Sequence, residues 1–309
     1  MLEGYDIIGD IHGHAALLEK LLGRLGYEKR HGVWKHRTRQ ALFLGDLIDR
    51  GDESVRTVQI VRAMTDDGSA RCIMGNHEFN ARWFAAPDPD RPGDFLRRHN
   101  EKNLRQHGKF LKEAGFLSPL HRDILTWFST LPLWLELDAL CMAHACWDRD
   151  SIERLASRVG KDGVFSDDEM LEERRRVRSL GCCDSENICK GPEVSIAHAF
   201  LDKDGTERRK ARICWWQDDA PSDRGWIMRS AGFPEETELL EPCSKRWPHD
   251  KPVFFGHYWL NPRAPRSPMN STSACLDYSA GKGGPLVCYR FDCGDRALSA
   301  DRFVAADPE

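Results

Sequence analysis

The chain has 309 residues, enough for one large domain or two small ones with a substantial core, which excludes a disulfide-stapled miniprotein. Lys plus Arg number 45 against 49 Asp plus Glu, giving a net charge of −4, with 40% hydrophobic and 30% charged residues; that balance excludes intrinsic disorder and a generically basic nucleic-acid binder. No stretch reaches the ~18 uninterrupted apolar residues of a membrane span, and the opening MLEGYDIIGD lacks the basic start and apolar core of a signal peptide, so a cytoplasmic protein is expected. Eleven cysteines with no CxxC pair indicate neither a disulfide framework nor a zinc ribbon, and reduced thiols are the expectation.

In chain order, five short apolar runs end in Gly or Ala followed at once by a residue able to bind a metal. They are Tyr5 to Gly9 before Asp10, Ala41 to Gly45 before Asp46, Arg71 to Gly75 before Asn76, Leu140 to Ala143 before His144, and Val253 to Gly256 before His257. Each is the length of a buried strand and too short for a helix. Leu18, Leu21, Leu22 and Leu25 then recur at helical spacing with Gly26 as a stop, and a second helix is expected from Ser54 to Met64. Residues 81–131 read as helical and polar, broken at PDPDRPGD. Residues 150–250 show no clear period and hold much of the Cys, Trp and charge; they are expected to be an insertion over one face of the sheet, where specificity sits.

Within that insertion Ser166 and Glu169 form a capping-box pattern ahead of a helix carrying Glu172, Glu173, Arg174, Arg175, Arg176 and Arg178. Acidic residues one turn earlier favour a self-paired surface over a phosphate grip for these arginines. Trp215, Trp216 and Trp226 either stack on a base or form an apolar core. Strands return over Ala274 to Tyr278 and Pro285 to Phe291. The turn GKGG between them lacks the GK[ST] and following helix of a phosphate-cradling loop. Strands alternating with helices indicate an α/β sheet protein, whose ligands gather at the carboxyl ends of strands.

All five polar residues named above sit at such ends, with His12 beside Asp10 in GDIHGH. Oxygen and imidazole donors without thiolate suit Mn, Fe, Zn or Mg, and six ligands are too many for one ion that must leave room for water and substrate. Two ions sharing one carboxylate fit the count, and a pair ~4 Å apart can grip the attacking and substrate oxygens of a phosphoryl displacement.

GDIHG, GDLIDRG, GNHE, an AH and a GH in this order resemble the calcineurin-like metallophosphoesterase family, in its branch of Ser/Thr protein phosphatases and bacterial diadenosine-tetraphosphatase-like, PrpE-type enzymes. MAHA and LVCYRF are similar to the symmetrical diadenosine tetraphosphatases, while Asp49 and the Glu78 of GNHE look more like protein phosphatases and the PrpE type. The resemblance implies one domain over 1–309, a four-layer αββα sandwich of two mixed sheets, with 150–250 as a cap inserted before the last metal-ligand strand. It implies that Asp10, His12 and Asp46 hold one ion and Asp46, Asn76, His144 and His257 the other, so that Asp46 bridges. The cofactor implied is a pair of divalent ions, manganese first, with Fe, Zn, Mg, Ni or Co as alternatives.

The remaining motif residues then take roles. Arg50 is placed to pair with phosphate oxygens through its guanidinium fork, the alternative being a surface ion pair. His77 can protonate the leaving-group oxygen with Asp49 orienting it, the alternative being a helix-capping side chain. The expected activity is hydrolysis of phosphomonoesters or phosphoanhydrides by a metal-bound hydroxide, on a phosphorylated small molecule, nucleotide or protein. Nucleic acid ranks last at this net charge. A catalytically silent scaffold of the same fold is the alternative, and it is disfavoured because no ligand or acid His is missing from the motifs.

Overall fold

A strand covered on both faces needs apolar residues in succession, and the five runs supply them. In the computed structural model, which describes residues 2–181, 183–201, 207–217, 222–228, 233, 237–241 and 247–308, the chain begins β1 (Gly4–Ile8), α1 (Ala15–Arg24), β2 (Glu28–Arg30), β3 (Val33–Lys35), β4 (Arg39–Phe43), α2 (Ser54–Asp66) and β5 (Ala70–Cys72). It continues through α3 (Asn76–Ala85), α4 (Glu101–Ala114), α5 (Pro119–Phe128), β6 (Trp134–Glu136) and β7 (Cys141–Ala143). After α6 (Arg149–Val159), α7 (Asp167–Leu180), α8 (Asp184–Lys190) and the hairpin β8 (Glu193–Leu201) with β9 (Glu207–Arg212), it closes with β10 (Val253–Phe255), β11 (Ser273–Cys275), β12 (Leu286–Asp292) and β13 (Phe303–Ala306).

Two mixed sheets form. One has the order β13-β12-β1-β4-β5 and the other β11-β10-β7-β6. β1 runs parallel to β4 and antiparallel to β12, with Ile8 opposite both Phe43 and Cys288. β10 runs parallel to β7 and β11, while β6 returns antiparallel on β7. Strand alternation then sorts the core into layers. Ile7, Leu42 and Leu44 of the first sheet meet Leu140, Met142 and Phe254 of the second in one apolar cluster. Their neighbours Ile8, Phe43, Ala143 and Phe255 point outward into the larger cluster shared with the helices. This is the expected sandwich of two sheets between helical layers.

α1 lays Leu18, Leu21 and Leu22 against that outer layer, as its spacing predicts. α2 has no side-chain cap of its own; Glu113 of α4 supplies one, its carboxylate accepting from the N–H groups of Ser54 and Val55 at 2.9 Å each. The polar stretch 81–131 is α4 and α5 after the end of α3, as expected. The strand expected over Ala274 to Tyr278 is shorter, Ser273–Cys275, because Asp277 turns the chain by accepting from Trp259 and Ser279 N–H.

The segment 150–250 corrects the reading of an unpatterned insertion. It holds three helices and a hairpin, and part of it lies outside the described residues. Its period was hidden because α6 buries only Ser151, Ile152 and Leu155, and α7 only Met170 and Glu173. On α7, Ser166 accepts from Glu169 N–H at 3.2 Å, and Arg175 pairs with Glu172 and Asp90, Arg176 with Glu173, and Arg178 with Asp88. Trp215, Trp216 and Trp226 are buried, the first two packing on Phe255, which is the core alternative and not a stacking platform. The nine described cysteines are free, and all but Cys293 are buried. Among the described residues no helix is long and apolar enough to cross a membrane.

Candidate metal centre

The carboxyl ends of β1, β4 and β5 in one sheet and of β7 and β10 in the other converge on a single rim, and the loops leaving them are stitched together by backbone. Ile11 and His12 N–H donate to Asp46 O at 3.1 and 2.8 Å, and Gly51 N–H donates to His12 O at 2.8 Å. Among the described residues, six of the nine non-glycine residues with positive φ lie here: His12, Asp46, Asp49, Arg50, His257 and Trp259. Each such residue costs roughly 1 kcal/mol or more, and strain concentrated in this way marks a functional site. The glycines before Asn76 and His257 have a contact reason as well. A Cβ at Gly256 would collide with Asp10 Oδ1, and one at Gly75 with Asp46 Oδ1.

Asp46 occupies the centre. Its Oδ2 lies 3.6 Å from His12 Nε2, 3.3 Å from His144 Nε2 and 3.9 Å from His77 Nε2. Asn76 Oδ1 lies 3.1 Å from His144 Nε2 and 2.7 Å from His257 Nδ1. Backbone carbonyls orient the rings: His12 Nδ1 donates to Ile48 O at 3.1 Å and His144 Nδ1 to Leu44 O at 2.7 Å, which turns each Nε2 inward as a candidate ligand atom. Asp10 accepts from His257 N–H at 2.9 Å through Oδ2. Its Oδ1, with His12 Nε2 and His257 Nε2, is buried without a hydrogen-bond partner.

These atoms fit a pair of cations. Two groups of donors meet within 4.8 Å, His12 with Asp46 and His77, and Asp46 with His144 and His257, and they share Asp46. Burial and the Asp277 carboxylate push Asp10 well above its usual range. Burial holds His12 neutral, at about 3. At His144 burial opposes protonation, but Asp46 and Asp10 outweigh it and raise the imidazole to about 10. Burial would raise Asp46 too, yet the histidines around it hold it well below the carboxylate range. A site that draws a proton onto His144 so strongly is one where a bound cation would replace that proton.

Asp49, His77 and Arg50 stand beside this cluster. Asp49 Oδ2 takes a short hydrogen bond from His77 Nδ1, while Oδ1 takes one from His107 Nδ1 at 2.8 Å. Against the burial that raises it, the two imidazoles hold the Asp49 carboxyl well below its usual range. Burial lowers His77, but Asp46 and Asp49 prevail and leave it raised. The Nδ1 contact and the resulting charge suit His77 to giving a proton more than to holding an ion, although its Nε2 falls within the first donor group. Arg50 is half-buried, with its guanidinium 5.4 Å over the Trp259 ring and its Nε without a partner. No carboxylate pairs with it among the described residues, so the surface ion pair is not what the structure holds. The Trp259 ring in turn stacks on His12 at 5.4 Å.

Three residues escaped the sequence reading. His107 on α4 belongs to no motif, and only its place two turns ahead of Ala114 on the buried face of α4 hinted at burial. Asp277 holds the Trp259 loop. Glu78 was visible in GNHE without a role: its carboxylate accepts from Asp46 N–H at 2.8 Å, Leu47 N–H at 2.8 Å and Gly75 N–H at 2.9 Å, locking the loops after β4 and β5 together. Burial and the neighbouring Asp46 raise it to about 7. Glu78→Ala leaves three buried N–H groups unpaired and is expected to cost on the order of 3 kcal/mol or more in denaturant unfolding. A loss under about 1 kcal/mol would mean that water replaces the carboxylate at no cost.

The sequence pattern of the family Calcineurin-like phosphoesterase matches residues 5–258. The bis(5'-nucleosyl)-tetraphosphatase PrpE, asymmetrical, of Geobacillus sp. (strain WCH70) is 33% identical over 172 residues, covering 52% of this chain and 65% of that protein. The symmetrical bis(5'-nucleosyl)-tetraphosphatase of Vibrio campbellii is 29% identical over 158 residues, half of each chain. The matches span between under a third and about two thirds of the curated relatives' own length. Among solved structures, a point mutant of a cold-active protein tyrosine phosphatase superposes with a TM-score of 0.50 over 99% of this chain and 81% of its own, at 13% identity, a likeness of fold alone.

Proposed function

Because the chain belongs to the calcineurin-like phosphoesterase family, we propose that it hydrolyses phosphomonoesters or phosphoanhydrides with two divalent cations, manganese first among them. Asp10, His12 and Asp46 would hold one, and Asp46, Asn76, His144 and His257 the other. The observation that carries this reading is the position of Asp46, with one carboxylate oxygen within 3.3–3.6 Å of the inward Nε2 atoms of His12 and His144. When bound, such a pair supplies Lewis-acid activation of water and of the phosphoryl oxygens. Arg50 binds the remaining phosphoryl oxygens, His77 delivers a proton from Nε2 to the leaving oxygen, and Asp49 fixes the ring that does so. The relatives' names add a phosphoanhydride of a nucleotide to the candidate substrates, beside phosphoproteins and small phosphate esters. The buried free thiols fit a reducing, cytoplasmic setting. One domain over 1–309, capped by 150–250, is part of the same reading.

A silent scaffold has no use for three buried, unpartnered ligand atoms, which tells against that alternative. Metal analysis, together with a screen of the manganese-loaded protein on a phosphopeptide, diadenosine tetraphosphate and a small aryl phosphate, tests the proposal; no tightly held metal and no turnover would refute it. Arg50→Ala is expected to lower kcat/KM on the order of 10- to 100-fold, the worth of one or two charge-assisted hydrogen bonds, with metal content unchanged. Lys at this position should restore only part of the loss, since an ammonium lacks the fork. Unaltered kinetics in the Ala variant would remove Arg50 from the site.

A further inference from the structure

Beside Asn76 and His257 a cleft of about 540 Å³ opens between α3, the stretch from Arg97 to Gln106, the helices α7 and α8, and the β8–β9 hairpin. Eight of its lining residues are Lys or Arg and two, Glu186 and Glu193, are acidic, in a chain whose net charge is −4. The mouth of the candidate centre is therefore locally positive.

These cations differ from the self-paired face of α7. Arg174 belongs to the same arginine run as Arg175, Arg176 and Arg178, but it stands one turn after the buried Met170 and faces the cleft. Among the described residues no carboxylate pairs with it; its Nε is buried without a partner, and its guanidinium lies 5.4 Å over the Trp83 ring. Among the described residues Arg97 donates only to the neutral oxygens of Asn103 at 3.1 Å and Gln106 at 2.8 Å, and burial lowers it to about 10. Arg212 lies 5.9 Å over the Tyr258 ring and lines the cleft together with His257. Half-buried guanidinium groups with no carboxylate in hydrogen-bond reach among the described residues are poorly compensated until an anion arrives. Three such forks around one cleft make a seat for several phosphates. The cleft offers a base no platform: its one indole, Trp83, is buried, with Arg174 and Lys190 over the ring.

We propose that this cleft seats the phosphate chain attached to the scissile phosphoryl group, so that the substrate class is a polyphosphate chain, inorganic or carried by a nucleoside, recognised through its phosphates and not its base. The proposal rests on the phosphoesterase reading. In the step it implies, the oxygen of water forms the new P–O bond and the bridging anhydride P–O bond breaks. The leaving phosphate takes the electron pair and a proton from His77, and the proton lost by water restores His77.

Calorimetric binding of inorganic tripolyphosphate to the full chain without added metal reads the cleft independently of turnover. The wild type should bind it at least tenfold more tightly than orthophosphate, and Arg97→Met with Arg174→Met should lose at least tenfold. In the manganese-loaded enzyme the same pair should lower kcat/KM on tripolyphosphate and on adenosine tetraphosphate at least tenfold more than on a small aryl phosphate. Adenosine and cytidine polyphosphates should differ less than threefold. Arg174→Lys, which keeps the charge and the packing on Trp83, should fall between and covers the case in which the Met pair fails to fold. Equal binding of tripolyphosphate and orthophosphate, equal losses on all substrates, or an arginine-dependent preference for a phosphopeptide would each overturn the assignment. Tight, arginine-dependent tripolyphosphate binding with no hydrolysis of any phosphate would uphold the cleft and refute the phosphoesterase reading instead.

Discussion

Asp46→Asn is expected to reduce turnover on the order of 10³-fold or more and to release both cations together. Among the described residues its carboxylate is the one group common to the donors on both sides of the centre, so a single neutral amide weakens two coordination shells at once. Several kcal/mol of transition-state stabilisation are at stake, and each 1.4 kcal/mol is a factor of ten in rate. Asn76→Ala gives the contrast. Its Oδ1 faces His144 and His257 only, so it should deplete chiefly one cation. Metal content by elemental analysis, with steady-state rates on an aryl phosphate, separates the two. Retention of both metals with near-normal turnover in Asp46→Asn would remove the bridging assignment.

The second large effect concerns the proton. If His77 protonates the leaving oxygen, His77→Asn should slow hydrolysis of an alkyl phosphate by roughly 10²- to 10⁴-fold. An activated aryl phosphate, whose leaving group departs without protonation, should be affected far less. Asp49→Asn should show the same contrast more weakly, because it removes orientation and charge support but leaves the imidazole. The structure adds a third member, since Asp49 also accepts from His107. His107→Asn should loosen Asp49 and so reproduce a still milder version of the same leaving-group contrast, which a merely structural residue would not. Equal losses on alkyl and aryl substrates in His77→Asn would place His77 in phosphate binding or metal geometry.

The strands that carry the ligands were legible because burial on both faces writes an uninterrupted apolar run, and the ligand follows it at once. β2 and β3 were not, since Glu28–Arg30 and Val33–Lys35 form a hairpin with little buried surface and no alternation to read. The helices α6 to α8 were obscured by charge, because few of their side chains enter the core. The ligand set was readable as a set of motifs, whereas His107 reaches Asp49 across 58 residues and has no local signature. Arg174 could have been separated from its neighbours by phase, standing four residues after the buried Met170 and so on the inward face, where Arg175 does not.

β1 lies between β4 and β12, so the centre of the first sheet is completed by a strand from the far end of the chain. Asp10 and His257, joined by a hydrogen bond, are 247 residues apart. During synthesis the apolar edge of β1 that faces β12 must therefore wait, unpaired, until nearly the whole chain has emerged, a state open to mispairing with other strands. Closing loops of that length comes late and slows folding. His257 can join the loops around Asp46 only after this closure, so a ligand that needs the complete centre arrives too late to guide folding. Its stabilisation acts on how slowly the finished protein unfolds, not on how quickly it forms.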